Sequence, residues 1–162
     1  MDSASETRLK AVLPALADKV RKMADLLAGE GILIRVTQGL RTVAEQDALY
    51  AQGRTKPGSI VTNCPGGHSY HNFGLAVDCC PSTHGPDQPF EPDWNESHPA
   101  WKAMVKAGES VGLNCGADWQ HFKDVPHFQL TGKWPVGAPP AEARTLVAKG
   151  LPAVWQAAFS EA

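Results

Sequence analysis

The sequence predicts a small α+β domain, with a few short strands set among helices and long loops gathered around one site. Three observations predict it. Leu9, Val12, Leu13, Leu16, Val20, Met23 and Leu27 recur at helical spacing. Residues 32–37 and 75–80 are β-branched or compact apolar runs of strand length. Residues 54–68 and 81–95 are rich in Gly, Pro, Ser and Asn and read as loops.

Taken in order, Ser3 with Glu6 three residues on reads as a capping box opening the first helix. Pro14 should kink or divide that helix, and Gly29 and Gly31 end it. The strand at 32–37 follows, then a turn at Gly39. Thr42 and Glu45 form a second capping box, opening a helix over 43–52 that stops at Gly53. A short extended piece is expected at 60–62 inside the first loop. The run at 75–80, built around Asp78, reads as a buried strand. Pro99 opens a helix with Trp101, Met104, Val105 and Val111 on one face, and Gly112 ends it. Phe122 and residues 125–130 suggest one or two last strands. Two short helices, near 140–149 and 152–159, are split by Gly150 and Pro152.

The 162 residues suffice for one domain with its own core, and 43% hydrophobic with 20% charged residues is ordinary for a globular chain. A net charge of −2 without a basic cluster argues against a nucleic-acid surface. No apolar stretch reaches the length of a membrane span. The first 27 residues thread charges through their apolar positions, unlike a secretory signal, so synthesis in the cytoplasm without export is expected. Cys64, Cys79, Cys80 and Cys115 match no zinc-finger or redox spacing and are expected to be reduced core thiols.

Two segments carry chemistry. In Ser69-Tyr-His71-Asn-Phe-Gly74-Leu-Ala-Val-Asp78, a loop histidine precedes an aspartate placed inside an apolar strand. A carboxylate there is costly to bury unless it is paired or holds a metal. In Asp124-Val-Pro-His127-Phe-Gln-Leu, a histidine stands at the mouth of another apolar run with a carboxylate just ahead. Two imidazoles and a carboxylate suit catalytic zinc with a fourth position open, and a further carboxylate nearby suits metal-assisted hydrolysis. Either segment alone reads as well as a satisfied polar residue or a turn; the combination points to the site.

These segments resemble the signature of the zinc D-alanyl-D-alanine carboxypeptidase and L-alanyl-D-glutamate endopeptidase family, which shares a fold with the hedgehog signalling domain. The motif S-x-H-x-x-G-x-A-x-D is matched at Ser69, His71, Gly74, Ala76 and Asp78. An acidic residue ahead of an H-F pair is matched at Asp124, His127 and Phe128. The resemblance extends over about residues 30–130 through Gly39-Leu-Arg41-Thr, Glu45-Gln46, Leu49-Tyr50, Gln52-Gly53-Arg54-Thr55 and Pro57-Gly58. Aspartate at 124, where carboxypeptidases of the family usually carry glutamate, is more like the L-alanyl-D-glutamate endopeptidases of phage lysins and bacterial wall hydrolases.

The resemblance implies a small antiparallel sheet flanked by helices, in one zinc peptidase domain over 1–162 with a helical tail from 131. It implies Zn²⁺ on His71, Asp78 and His127, and Asp124 as the acid/base that exchanges a proton with water and the leaving amine. Arg41 would supply positive charge for the oxyanion or a substrate carboxylate; its plainer reading is an ion pair with Glu45. Ser69 and Gln46 would hydrogen-bond substrate or a ligand side chain. His68 and His121 are weaker candidates for the cleft. His84 and His98 read as solvated. Asp118 and Trp119 read as cleft or core, and Trp134 and Trp155 as anchors of the tail. Glu91 and Glu96 are rival bases that nothing ties to the metal. The implied substrate is the peptidoglycan stem peptide, cut between L-alanine and D-glutamate by a monomeric, lysin-like protein reaching the wall after release. A D-alanyl-D-alanine carboxypeptidase or dipeptidase, and a non-catalytic zinc-containing binding module, are the alternatives.

Overall fold

The computed structural model describes residues 1–85 and 87–160. In chain order the elements are α1 (Ser3–Leu9), α2 (Pro14–Gly29), β1 (Ile34–Gln38), α3 (Val43–Ala51), a 3₁₀ turn (Tyr70–Phe73), β2 (Ala76–Pro81), α4 (Pro99–Ser110), β3 (Asn114–Cys115), β4 (His127–Gln129), α5 (Ala141–Leu146) and α6 (Leu151–Phe159). The fold is α+β, with one four-stranded antiparallel sheet in the order β1-β2-β4-β3. The chain forms two compact units. One takes Met1–Gly39 and Ala76–Leu130; the other takes Leu40–Leu75 and the chain from Thr131 onward.

The first unit holds the sheet. Pro14 divides the N-terminal helix and stands in the first turn of α2, where its missing N–H costs nothing. Leu16, Val20, Met23 and Leu27 of α2 join Trp101 and Met104 of α4 and Val77, Cys79 and Phe128 of the sheet in one buried cluster. α4 lies close on the sheet because residue 108 is glycine: a Cβ there would meet Phe128 Cε1 at 2.5 Å. β1 is an edge strand, and α1 covers part of its edge. Ser5 Oγ accepts from Val36 N at 2.9 Å, and Arg8 Nη1 donates to Val36 O at 3.0 Å.

Three sequence expectations need correction here. α1 is capped by Asp2, whose carboxylate accepts from Ser5 N at 2.8 Å, and Ser3 lies inside the helix. Residues 60–62 form no strand, since this stretch is held by side chains: Arg54 Nη1 donates to Thr62 O and Gln52 Nε2 to Ser59 O. Phe122 is likewise outside any strand, and the partner of β4 is β3, two residues long.

The second unit holds α3, the 3₁₀ turn and the two tail helices. α3 opens with the expected capping box: Thr42 Oγ1 accepts from Glu45 N, and the Glu45 carboxylate accepts from Thr42 N. Tyr70, Phe73, Leu75, Trp134, Ala143, Val154 and Ala158 are its buried apolar residues. Among the described residues, no helix is long and apolar enough to cross a membrane. All four cysteines are free, and Cys79, Cys80 and Cys115 are buried.

Candidate metal and catalytic site

In the first unit the site is built by strand register. β2 and β4 pair so that Asp78 stands directly opposite His127 and Val77 opposite Phe128. Opposite residues share a face, so one pair enters the core while the next leaves it. His127 Nδ1 lies 3.4 Å from Asp78 Oδ1. Its Nε2 lies 2.8 Å from Gln129 Oε1, two residues on and on the same face. With Nε2–H donating to that oxygen, the Nδ1 lone pair is left for a cation, the usual arrangement behind a metal-bound histidine. Burial lowers the proton affinity of His127, but hydrogen bonding and charge from Asp78, the charge of Asp124 and the Gln129 contact together hold its pKa above the ordinary histidine value. The same negative field favours a dication.

Asp124 is placed by the loop after β3. Its N–H donates to Gly116 O at 3.1 Å, and its own carbonyl accepts from His127 N at 3.0 Å. A Cβ on residue 116 would stand 2.4 Å from Asp124 O, so the close approach requires glycine. Asp124 Oδ2 lies 3.9 Å from His127 Nδ1. The Asp124 side chain is 36% exposed against 17% for Asp78, which leaves Asp124 the carboxylate better able to meet a water. Trp119 lies beside the histidine, its ring centroid 5.0 Å from that of His127 and tilted by 50°.

In the second unit His71 lies in the 3₁₀ turn. Ser69 caps that turn, its Oγ accepting from His71 N at 3.3 Å, and Gly74 ends it with φ +64°. Asn72 ties the turn to the segment before α3. Its Oδ1 accepts from Gly67 N and Ser69 N, and its Nδ2 donates to Arg41 O at 2.9 Å. Arg41 N also donates to His71 O at 2.9 Å. The Arg41 guanidinium is buried and donates from Nη1 to Gln46 Oε1 at 2.8 Å. Gln46 Nε2 in turn donates to Cys64 O at 2.7 Å and Thr62 Oγ1 at 3.3 Å. Ser69 and Gln46 thus spend these hydrogen bonds on His71 and Arg41.

His71, Asp78 and His127 each offer one atom of a kind that holds metal ions. Zinc bonds of about 2.0–2.1 Å to nitrogen and oxygen give a tetrahedral edge of about 3.4 Å, which the His127–Asp78 separation of 3.4 Å matches. The donor set and its spacing fit zinc.

The other singled-out residues lie apart from these contacts. His68, His121, Asp118, Glu91 and Glu96 are exposed. His84 Nδ1 meets Pro89 O, and His98 caps α4. Trp134 is buried in the second unit. The sequence reading missed Asn72, Gln129 and Gly116. Gln129 carried a usable signal: a polar residue two positions after His127 in an apolar strand must share its face. Asn72 carried a weaker one, as an amide between the buried His71 and Phe73.

Residues 62–130 match the family model described as D-alanyl-D-alanine carboxypeptidase. The chain is similar to the peptidoglycan L-alanyl-D-glutamate endopeptidase CwlK of Bacillus subtilis (strain 168), with 41% identity over 118 residues, 68% of this chain and 71% of CwlK. Among solved structures it is similar to the L-Ala D-Glu endopeptidase ChiX of Serratia marcescens, with a TM-score of 0.53, 25% identity and coverage of 81% of this chain and 89% of that one. It also shares its fold with the vancomycin-resistance D,D-pentapeptidase VanY of a VanB-type cassette, solved with Zn(II), at a TM-score of 0.51 and 16% identity over 89% of this chain and 83% of that one.

Proposed function

Because the chain belongs to the D-alanyl-D-alanine carboxypeptidase family of peptidases, we propose that it is a zinc-dependent peptidoglycan hydrolase cutting the stem peptide between L-alanine and D-glutamate. The observation that carries the zinc centre is the cross-strand pair of Asp78 and His127, 3.4 Å apart, with the second ring nitrogen of His127 engaged by Gln129. His71, Asp78 and His127 are the ligands in this reading. The bound ion supplies Lewis acidity, polarising the scissile carbonyl and making water a nucleophile at neutral pH.

The remaining work falls to the chain. Asp124, close to His127 and partly open to solvent, takes a proton from the attacking water and returns it to the departing amine. Its backbone contacts to Gly116 and His127 fix it in reach. Arg41, held by Gln46, offers a fixed positive charge to the developing oxyanion or to a substrate carboxylate. The choice of bond is supported by aspartate at 124 and by the likeness to CwlK and ChiX, both named as L-alanyl-D-glutamate endopeptidases. A lysin role, with action on the wall, belongs to the same reading.

The test is mass spectrometry of purified peptidoglycan digested by the zinc-loaded protein with and without chelator. The expected product carries a new N-terminal D-glutamate and disappears with chelation. Release of terminal D-alanine would assign the carboxypeptidase reaction instead. Asp124→Asn should lower the rate by about 10²–10⁴-fold with zinc binding retained. Undiminished hydrolysis by that variant would remove Asp124 from the acid/base role, and no cleavage by a wild-type protein that binds zinc would favour a non-catalytic binding role.

A further inference from the structure

We propose that the C-terminal segment from Thr131 onward positions the metal ligand His71, by gripping the 3₁₀ turn on both sides of it. The proposal rests on the reading of His71 as a zinc ligand. The turn has four residues, Tyr70–Phe73, and so short a helix cannot hold its own shape through internal hydrogen bonds alone. Its two aromatic residues are both held by the tail. One residue before His71, the Tyr70 hydroxyl donates to Pro135 O at 2.5 Å, with Ala138 O a further 3.3 Å neighbour. Two residues after His71, Trp155 Nε1 donates to Phe73 O at 2.8 Å. Tyr70 and Phe73 are almost fully buried, whereas Pro135 and Ala138 are exposed and Trp155 half-buried.

The two grips are themselves fixed to each other. Lys133 N donates to Ala158 O at 2.9 Å, joining the stretch that carries Pro135 and Ala138 to α6, which carries Trp155. The contact depends on Gly132: a Cβ there would stand 2.1 Å from Ala158 O. Arg144 of α5 passes nearby: a Cβ on Gly67, whose N–H is bound by Asn72 of the turn, would stand 3.4 Å from Arg144 Cδ. The tail buries Trp134, Ala143, Val154 and Ala158 within this unit, while Val136, Val147 and Phe159 stay exposed.

Partners that bond a metal ligand directly are worth about 10–100-fold in metal affinity, and contacts one or two residues away from His71 are expected at the low end of that range. Trp155→Phe keeps the ring and deletes the N–H; Tyr70→Phe deletes the hydroxyl. Zinc affinity of each full-length variant would be measured by competition with a chromophoric chelator, with circular dichroism verifying that the metal-free protein is folded. Both variants should bind zinc about 10-fold more weakly, while Lys133→Ala, whose ammonium meets the exposed Ser160 hydroxyl, should match the wild type. If Trp155→Phe does not fold, Tyr70→Phe alone decides. Unchanged affinity in a folded variant, with one zinc bound by the wild type and lost in His71→Ala, overturns the proposal and leaves the metal site standing. A wild-type protein that binds no zinc overturns both.

Discussion

At the scale of single residues, Arg41 shows how the site is kept ready. A buried guanidinium on a flexible stem needs a partner to hold one geometry, and Gln46 is that partner at 2.8 Å. Glu45, the plainer partner by sequence, is occupied in capping α3 through Thr42. Gln46 is itself locked by Cys64 O and Thr62 Oγ1. Gln46→Leu would leave the part-buried Cys64 carbonyl and the buried Arg41 guanidinium without these bonds, costing about 1–3 kcal/mol in urea unfolding and lowering kcat. In Gln46→Glu the carboxylate can still hold the guanidinium but cancels its charge, and the donor to Cys64 O is lost, so this variant should also lose stability and remain slow. A Gln46→Glu enzyme of full activity would show that the charge of Arg41 is not used.

At the scale of elements, β4 is three residues long yet sets both core and site. His127 and Gln129 face the candidate metal site while Phe128 enters the core against α4. Gly108 is the point of closest approach, and Gly108→Ala would force Phe128 or the helix to move, since Met23 Sδ also stands 3.3 Å from the added carbon. We expect a loss of about 1–3 kcal/mol and a lower urea midpoint, despite the better helix propensity of alanine. A midpoint equal to or above the wild type would mean that α4 slides freely on the sheet. The same elements show what was legible in the sequence. α2, α4 and β2 were, because several apolar residues at helical spacing or a dense apolar run outweigh local noise. β3 was not, because two residues carry no periodicity and its place is set by pairing to β4. Phe122 looked like strand, but the chain there loops back so that Asp124 reaches Gly116. At the helix start, Asp2 beat Ser3 as cap because its carboxylate also reaches Arg35.

At the scale of the whole molecule, contacts between distant stretches of chain decide what local patterns cannot. The histidine motif named the proposed zinc ligands, but no local signal announces that Trp155 will bond to Phe73 O, 82 residues earlier. Charges distributed over the chain likewise give a stability profile that no motif contains. On the acid side, burial raises the Asp2 carboxyl, but bonds from the Ser5 amide and hydroxyl and from Arg35 outweigh it and hold the pKa low; Arg21 does the same for Glu6. A depressed folded pKa gives stability that is present above the ordinary carboxylate value and lost as pH falls through the folded one. On the alkaline side, burial, with the charges of Glu109 and Asp118, pushes the Cys115 thiol up to about 12. Here the native state keeps a proton that the unfolded chain gives up above its ordinary value of 9.0, so stability falls as pH rises from there toward 12. The slope from one such group is at most about 1.4 kcal/mol per pH unit. Urea unfolding across the pH range should therefore show a plateau bounded on both sides. Cys115→Ala should lower the plateau through its small cavity while flattening the alkaline limb, and Asp2→Asn should flatten the acid one. An alkaline limb as steep in Cys115→Ala as in the wild type would move the cause to other buried acids.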